Sequence, residues 1–173
     1  MDIKGLAKAI GYINDTMQKQ KEYLIQLDQQ NGDGDLGISM ASGYKAIYGY
    51  LSSCGETDLG KALMKSSSIF NETAPSSLGT ITSFFFMGMA KSLKGKTDAT
   101  LAEMIDAMEA GLNKIMEKAM SKPGEKTILD ALYPAIHTLK DYQSEGARTA
   151  FAAAAKAAGD GSESTKNMRS VHG

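Results

Sequence analysis

The sequence predicts an all-α fold in a single domain. Residues that favour helices, chiefly Ala, Met, Leu, Lys and Glu, are frequent throughout the 173 positions. Proline occurs only at positions 75, 123 and 134, and the β-branched alternation that is typical of strands is almost missing. A chain of this length can bury one core but is short for two, so we expect one domain.

Eight helices are predicted in order along the chain. The first two flank an acidic loop, and connections that contain proline or glycine separate the later ones, which implies antiparallel neighbours. In the fifth helix Leu101, Ile105 and Met108 recur at helical spacing, after a capping-box pattern formed by Thr100 and Glu103. The alanine-rich seventh helix suits close packing. The predicted ranges are 3–26, 36–52, 57–70, 77–94, 99–120, 127–141, 145–158 and 162–172.

Composition argues against several classes of function. The net charge is −1, tryptophan is absent and no basic run carries aromatic residues, so nucleic acid is not an expected partner. The longest apolar stretch, 81–90, contains two hydroxyl residues and a glycine and is far too short to cross a bilayer. The start of the chain lacks a signal-peptide pattern, and the single cysteine, Cys54, fits a reducing compartment. These features predict a cytoplasmic protein without a membrane partner.

Three carboxylates, Asp28, Asp33 and Asp35, fall within eight residues between the first two predicted helices. Carboxylates that close repel one another unless a cation lies among them. Glycines at positions 32, 34 and 37 allow the backbone to fold back tightly, so that these side chains can converge. The helix that starts after Asp35 points backbone N–H groups at the same place, which suits a phosphate. The loop therefore indicates a hard divalent metal that holds a polyphosphate.

Two other interpretations of this loop compete with a metal and phosphate site. An acidic, glycine-rich turn can be a turn alone, with Asp35 as the N-cap residue of the next helix. An EF-hand calcium loop fails on spacing, because a start at Asn31 puts Leu36 where a glycine belongs and Ser42 where the bidentate glutamate belongs. Three carboxylates leave coordination positions for phosphate oxygens and water, which favours Mg²⁺.

The loop resembles that of the dihydroxyacetone kinase subunit L family, also called the DhaL or DAK2 domain. The family pattern is Leu-Asp, a short spacer, Gly-Asp-Gly-Asp-His-Gly, and then a helix with a methionine and a glycine. The corresponding residues here are Leu27-Asp28, the segment 32–37, Met40 and Gly43. The resemblance continues in the same order through the segments 75–80, 122–135 and 157–168.

The resemblance implies one DhaL-like domain over residues 1–173, an antiparallel eight-helix barrel that binds ADP or ATP at one open end. Asp28, Asp33 and Asp35 match the family's metal ligands, which hold two Mg²⁺ ions against the nucleotide phosphates. The positions that match its nucleotide contacts are Leu36, Gly37, Ile38, Ser39, Ser76 and Ser77 at the phosphates and Ala119 and Ile128 at the adenine.

Some of these positions also have a simpler structural interpretation, and some depart from the family. Ser76 and Ser77 open a predicted helix and can act as N-capping residues alone, and Ile128 can be a core residue. Leu36 stands where members of the family usually have a histidine, so the contact of that imidazole is lost. The family continues beyond the position of Gly173 with an arginine-containing segment that closes over the nucleotide. We expect residues 1–173 to lack that lid.

The resemblance implies the nucleotide-binding subunit of a dihydroxyacetone-type kinase. Such a subunit transfers a phosphoryl group to dihydroxyacetone or a related short polyol, which a partner K-type subunit holds. The phosphoryl donor is either ATP or a subunit of a phosphotransferase system. No residue of this chain is assigned to catalysis. Two alternatives remain from the sequence: a nucleotide-binding regulatory module without transfer activity, and a helical scaffold in which Asp33 and Asp35 only form the turn and the cap.

Overall fold

Seven α-helices make up most of residues 1–172, which are the residues that the computed structural model describes. No strand occurs in this range, which confirms the all-α class. None of the helices in the same range is both long and apolar enough to cross a membrane. Their bounds are α1 Ile3–Asp28, α2 Leu36–Ser53, α3 Leu59–Thr73, α4 Ser77–Ser92, α5 Leu101–Ala119, α6 Leu129–Asp141 and α7 Ala147–Ser164, with short 3₁₀ helices at Gln143–Glu145 and Thr165–Asn167.

Each helix packs on the next one along the chain, and the short connections make the neighbours antiparallel. The connections 29–35, 74–76 and 120–128 therefore meet at one end of the molecule, which we call the carboxylate end. The start of α1 and the connections 54–58 and 93–100 lie at the opposite end. There the Gly95 N–H donates to Asp58 at 3.0 Å, and the Ala99 N–H donates to the Met1 carbonyl at 3.0 Å.

The core consists of one large cluster and two small ones. The large cluster joins α1 to α5 around fully buried side chains such as Phe70, Ile47 and Leu63. One small cluster lies between α5, α6 and α7, and the other lies between α4, α5 and α6. Met108 of α5 packs against all three clusters, a position that suits an unbranched and adaptable side chain. The predicted capping box is confirmed, because Thr100 and Glu103 each accept from the other's backbone N–H.

The prediction of an eighth helix over 162–172 is wrong for the described residues. α7 continues through Gly159 and Gly161 to Ser164, and only a short 3₁₀ helix follows. A side chain at 161 would place its Cβ 2.1 Å from the Asp130 carbonyl oxygen of α6. That glycine therefore permits close helix packing and does not end the helix. Within residues 1–172, α1 and α7 also share no extensive interface, so these seven helices do not form a fully closed ring.

Candidate metal centre

The backbone reverses sharply where α1 ends. The N–H groups of Asn31 and Gly32 both donate to the Asp28 carbonyl oxygen, at 3.1 and 2.6 Å. Gly34 has a φ of +82°, in the left-handed region that glycine adopts without strain. A Cβ at position 32 would lie 2.7 Å from Asp28 Oδ1, so the absence of a side chain there lets the Asp28 carboxylate lie over the turn. α2 starts directly afterwards at Leu36.

The turn brings the three predicted carboxylates together. One oxygen from each of Asp28, Asp33 and Asp35 lies within 4.8 Å of the others. Asp28 and Asp35 are half-buried, and Asp33 is exposed. Asp28 Oδ2 accepts from the Gly34 N–H at 2.9 Å and from the Leu36 N–H at 3.4 Å, which fixes the orientation of its carboxylate. Asp33 Oδ1 accepts from the Asp35 N–H at 3.3 Å.

The cluster concentrates negative charge without a protein cation to balance it. In the part of the chain that the structure describes, no lysine, arginine or histidine forms an ion pair with any of the three carboxylates. Partial burial, and then the charges of Asp33 and Asp28, raise the pKa of Asp35. Asp35 occupies the N-cap position of α2, but its side chain makes no capping hydrogen bond. Helix capping therefore does not account for this carboxylate.

The geometry and chemistry of the cluster fit Mg²⁺. The ion lies about 2.1 Å from its oxygen ligands, which places two ligands of one ion roughly 3–4 Å apart. Oxygens that lie within 4.8 Å of one another can therefore share an ion or hold a closely spaced pair. Hard carboxylate ligands are the type that Mg²⁺ prefers, and an incomplete protein set leaves positions for phosphate oxygens.

The first turn of α2 lies beside the carboxylates. First-turn N–H groups have no acceptor within their own helix, and those of Gly37 and Ile38 belong to this turn. The Ile38 side chain is half exposed, whereas Ser39 is buried and its N–H donates to the Asp35 carbonyl at 2.8 Å. A Cβ at Gly37 would lie 2.3 Å from the Lys21 carbonyl oxygen, so this glycine lets α1 and α2 approach closely beneath the site.

The other predicted phosphate residues start α4, which contacts α2. Ser76 is the N-cap residue, and its Oγ accepts from the Gly79 N–H at 3.1 Å. A capping role for Ser76 is therefore present in the structure, as one interpretation of the sequence proposed. Ser77 is exposed in the first helical turn.

The predicted adenine residues flank the connection 120–128. Ala119 is half-buried against the small core cluster of α5 and α6, and Ile128 is half-buried at the N-cap position of α6. The backbone between them includes two non-glycine residues in the left-handed region, Met120 at φ 48° and Lys126 at φ 58°. Strained backbone of this kind is held in place by its surroundings.

Sequence reasoning missed the acidic residues that hold this connection. The buried Asp130 carboxylate accepts from the Gly124 N–H at 2.5 Å and from the Thr127 N–H at 2.8 Å. The available signal was the spacing of Thr127 and Asp130, which is that of a capping box. Glu125 accepts from Ser121 Oγ at 2.9 Å and lies 2.8 Å from His172 Nε2.

The segment that follows α7 returns to the connection 120–128. Three hydrogen-bonding contacts lower the pKa of Glu125 to about 2. The contact with His172 has the largest effect, followed by those with the Lys122 N–H and the Ser121 hydroxyl. Lys126 Nζ donates to the Met168 carbonyl at 3.1 Å. Residues 168–172 therefore lie against the carboxylate end, where the sequence offers no local pattern that would place them.

Comparisons with known proteins show which family this chain is similar to. The DAK2 domain family matches residues 30–173. The triokinase/FMN cyclase of Rattus norvegicus is 33% identical over 174 aligned residues, which cover 98% of this chain and 30% of that protein. The ADP-binding subunit DhaL of the PEP-dependent dihydroxyacetone kinase of Escherichia coli (strain K12) is 25% identical over 161 residues, which cover 92% of this chain and 77% of that protein.

A solved structure shares the fold over most of the chain. The crystal structure of the dihydroxyacetone kinase from C. freundii in complex with AMP-PNP and Mg²⁺ superposes with a TM-score of 0.77 at 25% identity. The match covers 92% of this chain and 28% of that one. The chain thus spans about 30% of the length of the triokinase/FMN cyclases that it matches. On the extent of the family match and the identity to these relatives, the chain belongs to the DAK2 domain family.

Proposed function

We propose that this chain is the nucleotide-binding component of a dihydroxyacetone-type kinase. The observation that carries the proposal is the group of three carboxylates within 4.8 Å of one another at the start of α2. It is supported by relatives whose names describe an ADP-binding kinase subunit and by the likeness to a kinase crystallised with AMP-PNP and Mg²⁺. The nucleotide would be ADP or ATP.

Asp28, Asp33 and Asp35 would hold the two Mg²⁺ ions of this proposal. Bound Mg²⁺ would supply positive charge for the phosphates and neutralise the charge that develops during phosphoryl transfer. The chain itself contributes orientation, because the Gly34 and Leu36 N–H groups fix the carboxylate of Asp28. The first turn of α2 would bring the Gly37 and Ile38 N–H groups, which have no acceptor within their own helix, to the phosphates. The other residues of the proposed phosphate site are Leu36 and Ser39 in α2 and Ser76 and Ser77 at the start of α4.

Ala119 and Ile128, which flank the connection 120–128, would contact the adenine. The acceptor, dihydroxyacetone or a related short polyol, would be held by a partner K-type subunit, because we assign no residue of this chain to it. The phosphoryl donor would be ATP or a phosphotransferase-system subunit. The exposed position of the carboxylate end is consistent with access for such a partner.

Isothermal titration with ADP in the presence of Mg²⁺ tests the nucleotide site. We expect Asp33→Ala and Asp35→Ala each to weaken ADP binding at least tenfold, because each removes a ligand of the metal. Asp141→Ala removes an exposed carboxylate at the end of α6 and serves as the matched control, with unchanged affinity. Tight ADP binding that survives in both loop variants would contradict the proposed metal site.

Phosphoryl transfer needs a separate measurement. The chain is mixed with a K-type subunit, dihydroxyacetone, Mg²⁺ and either ATP or the phosphotransferase donor, and dihydroxyacetone phosphate is quantified. Product that depends on this chain and on Asp33 supports the kinase. Tight Mg²⁺–ADP binding without any product with either donor would contradict transfer and leave the regulatory module as the function.

A further inference from the structure

A groove of about 900 Å³ lies over α4, between α3 and α5. Its lining includes Gly60 and Lys61 at the start of α3 and Lys94 just after α4, so it extends toward the end opposite the carboxylates. None of the residues proposed above to bind metal or nucleotide lines it. The lining of the groove is therefore distinct from the residues of the proposed nucleotide site.

Two glycines that line the groove lie at its helix contacts. A Cβ at Gly60 would lie 2.5 Å from the Lys94 Cα, and a Cβ at Gly88 would lie 2.5 Å from the Ala110 carbonyl oxygen. α3 and α5 consequently pack very closely on α4 at these points.

The groove combines an apolar base with a basic rim. Met64 is 44% exposed and Met87 is half-buried, and exposed methionines adapt to the shape of an apolar partner. The lysines of the lining, in contrast, outnumber its single acidic residue, Glu117, although the whole chain carries a net charge of −1. These lysines are Lys61, Lys91, Lys94 and Lys114.

Helix stability does not explain this rim as a whole. Lys91 lies in the last turn of α4, where a cation is favourable. Lys61 lies in the first turn of α3, where the helix dipole disfavours a cation. Lys114 pairs with Glu117 at 3.0 Å. Lys61 lies near the carboxylates of Glu56 and Asp58, whose pKa values are lowered first by backbone N–H donors and further by the charge of this lysine. Lys91 and Lys94 therefore contribute most of the unbalanced positive charge of the groove. The rim is thus complementary to an acidic ligand.

We propose that this groove binds an acidic amphipathic helix of a partner protein. A helix that lies over α4 can place aliphatic side chains on Met64 and Met87, which both line the groove. Its flanking Asp and Glu side chains then meet the lysines.

A labelled synthetic peptide tests the proposal on the intact chain. The peptide has leucines at i, i+3, i+4 and i+7 with Glu and Asp elsewhere, and the comparison peptide carries Lys in place of the acids. We expect saturable fluorescence anisotropy for the acidic peptide only, weakened by added salt. The double variant Lys91→Glu/Lys94→Glu should reduce its affinity at least tenfold. The double variant Lys8→Glu/Lys19→Glu, with exposed lysines on α1, should change it less than twofold.

Methionine methyl NMR locates the peptide. With ¹³C-methyl methionine, the acidic peptide should shift the Met64 and Met87 signals, which Met64→Leu and Met87→Leu assign, and leave Met120 and Met168 unchanged. Equal binding of both peptides, shifts confined to Met120 or Met168, or binding to phosphatidylglycerol vesicles without peptide binding would each overturn the proposal. Circular dichroism of the lysine variants checks that they fold.

Discussion

Two glycines of α2 differ in what surrounds them, and the difference shows how the site is built. Gly37 lies against the backbone of α1, whereas a Cβ at Gly49 would meet nothing within 4 Å. The carboxylates therefore rest on a close helix contact that only glycine permits. The Gly-Asp-Gly-Asp pattern is local and could be predicted from the sequence. The Gly37 contact could not, because it depends on which residue of α1 comes opposite.

Replacing each of these glycines by alanine should have opposite effects. We expect Gly37→Ala to lower the free energy of unfolding by about 1–3 kcal/mol, because the new methyl group meets the Lys21 carbonyl. Gly49→Ala should raise it by about 0.5–1 kcal/mol through better helix propensity. Urea denaturation measures both. Equal changes in the two variants would show that α1 and α2 are farther apart at Gly37.

Glu103 makes the stability contributed by the start of α5 depend on pH. Its hydrogen bond from Lys96 at 2.7 Å, followed by those from Thr100, lowers the pKa of this carboxyl to about 2. An unfolded glutamate has a pKa of about 4.3, so the stabilisation is complete above that pH and is lost as the pH falls toward 2. Glu103→Gln should therefore lower the melting temperature at neutral pH, and the difference from wild type should shrink in acid.

Thermal denaturation across pH values from about 7 to 2 checks this expectation. Glu72→Gln, which removes an exposed carboxylate of α3, is the control and should follow the wild-type curve more closely. A gap between Glu103→Gln and wild type that stays constant down to the lowest pH would contradict the role of the ionised carboxylate.

At the scale of elements, hydrophobic periodicity and capping signals predicted α1 to α6 to within a few residues. They failed at the end of α7, because glycine residues in a helical sequence can have two opposite structural effects. Glycine can end a helix, or it can allow another helix to approach. Gly161 serves the second purpose, and only the position of α6 shows it. The connection 120–128 was predictable only in part, because the contacts of Asp130 with Gly124 and Thr127 are local. The contact between Lys126 and the Met168 carbonyl joins residues that are distant in sequence and left no local signal.

The two glycines of α7 provide a direct test of this interpretation. Gly159→Ala has open space and should raise the melting temperature by a few degrees, at about 0.5–1 kcal/mol of added stability. Gly161→Ala should lower it, because its methyl group meets the Asp130 carbonyl. Differential scanning calorimetry compares them. Stabilisation by both would indicate that α7 ends before residue 161.

At the scale of the whole molecule, nucleotide binding should appear as thermal stabilisation. A ligand at about 100 times its Kd adds about 2.7 kcal/mol, which corresponds to roughly 5–10 °C for a chain of this size. We expect ADP with Mg²⁺ to produce such a shift in wild type and a shift of about half this size or less in Asp33→Ala, because binding that is tenfold weaker halves the stabilisation. Excess EDTA should abolish it. A full shift with ADP in EDTA would mean that the carboxylates do not act through a metal.

The order of packing has a consequence for motion. Every helix has its principal neighbour adjacent in sequence, α6 packs more on α7 than on α5, and the outermost helices have no extensive interface with each other. Amide exchange should therefore be fastest in the α6–α7 hairpin, which can detach as a unit while the large core persists. Its detachment would open the connection 120–128, so in the proposed nucleotide complex this hairpin, and not the acidic turn, would govern the entry and departure of the adenine.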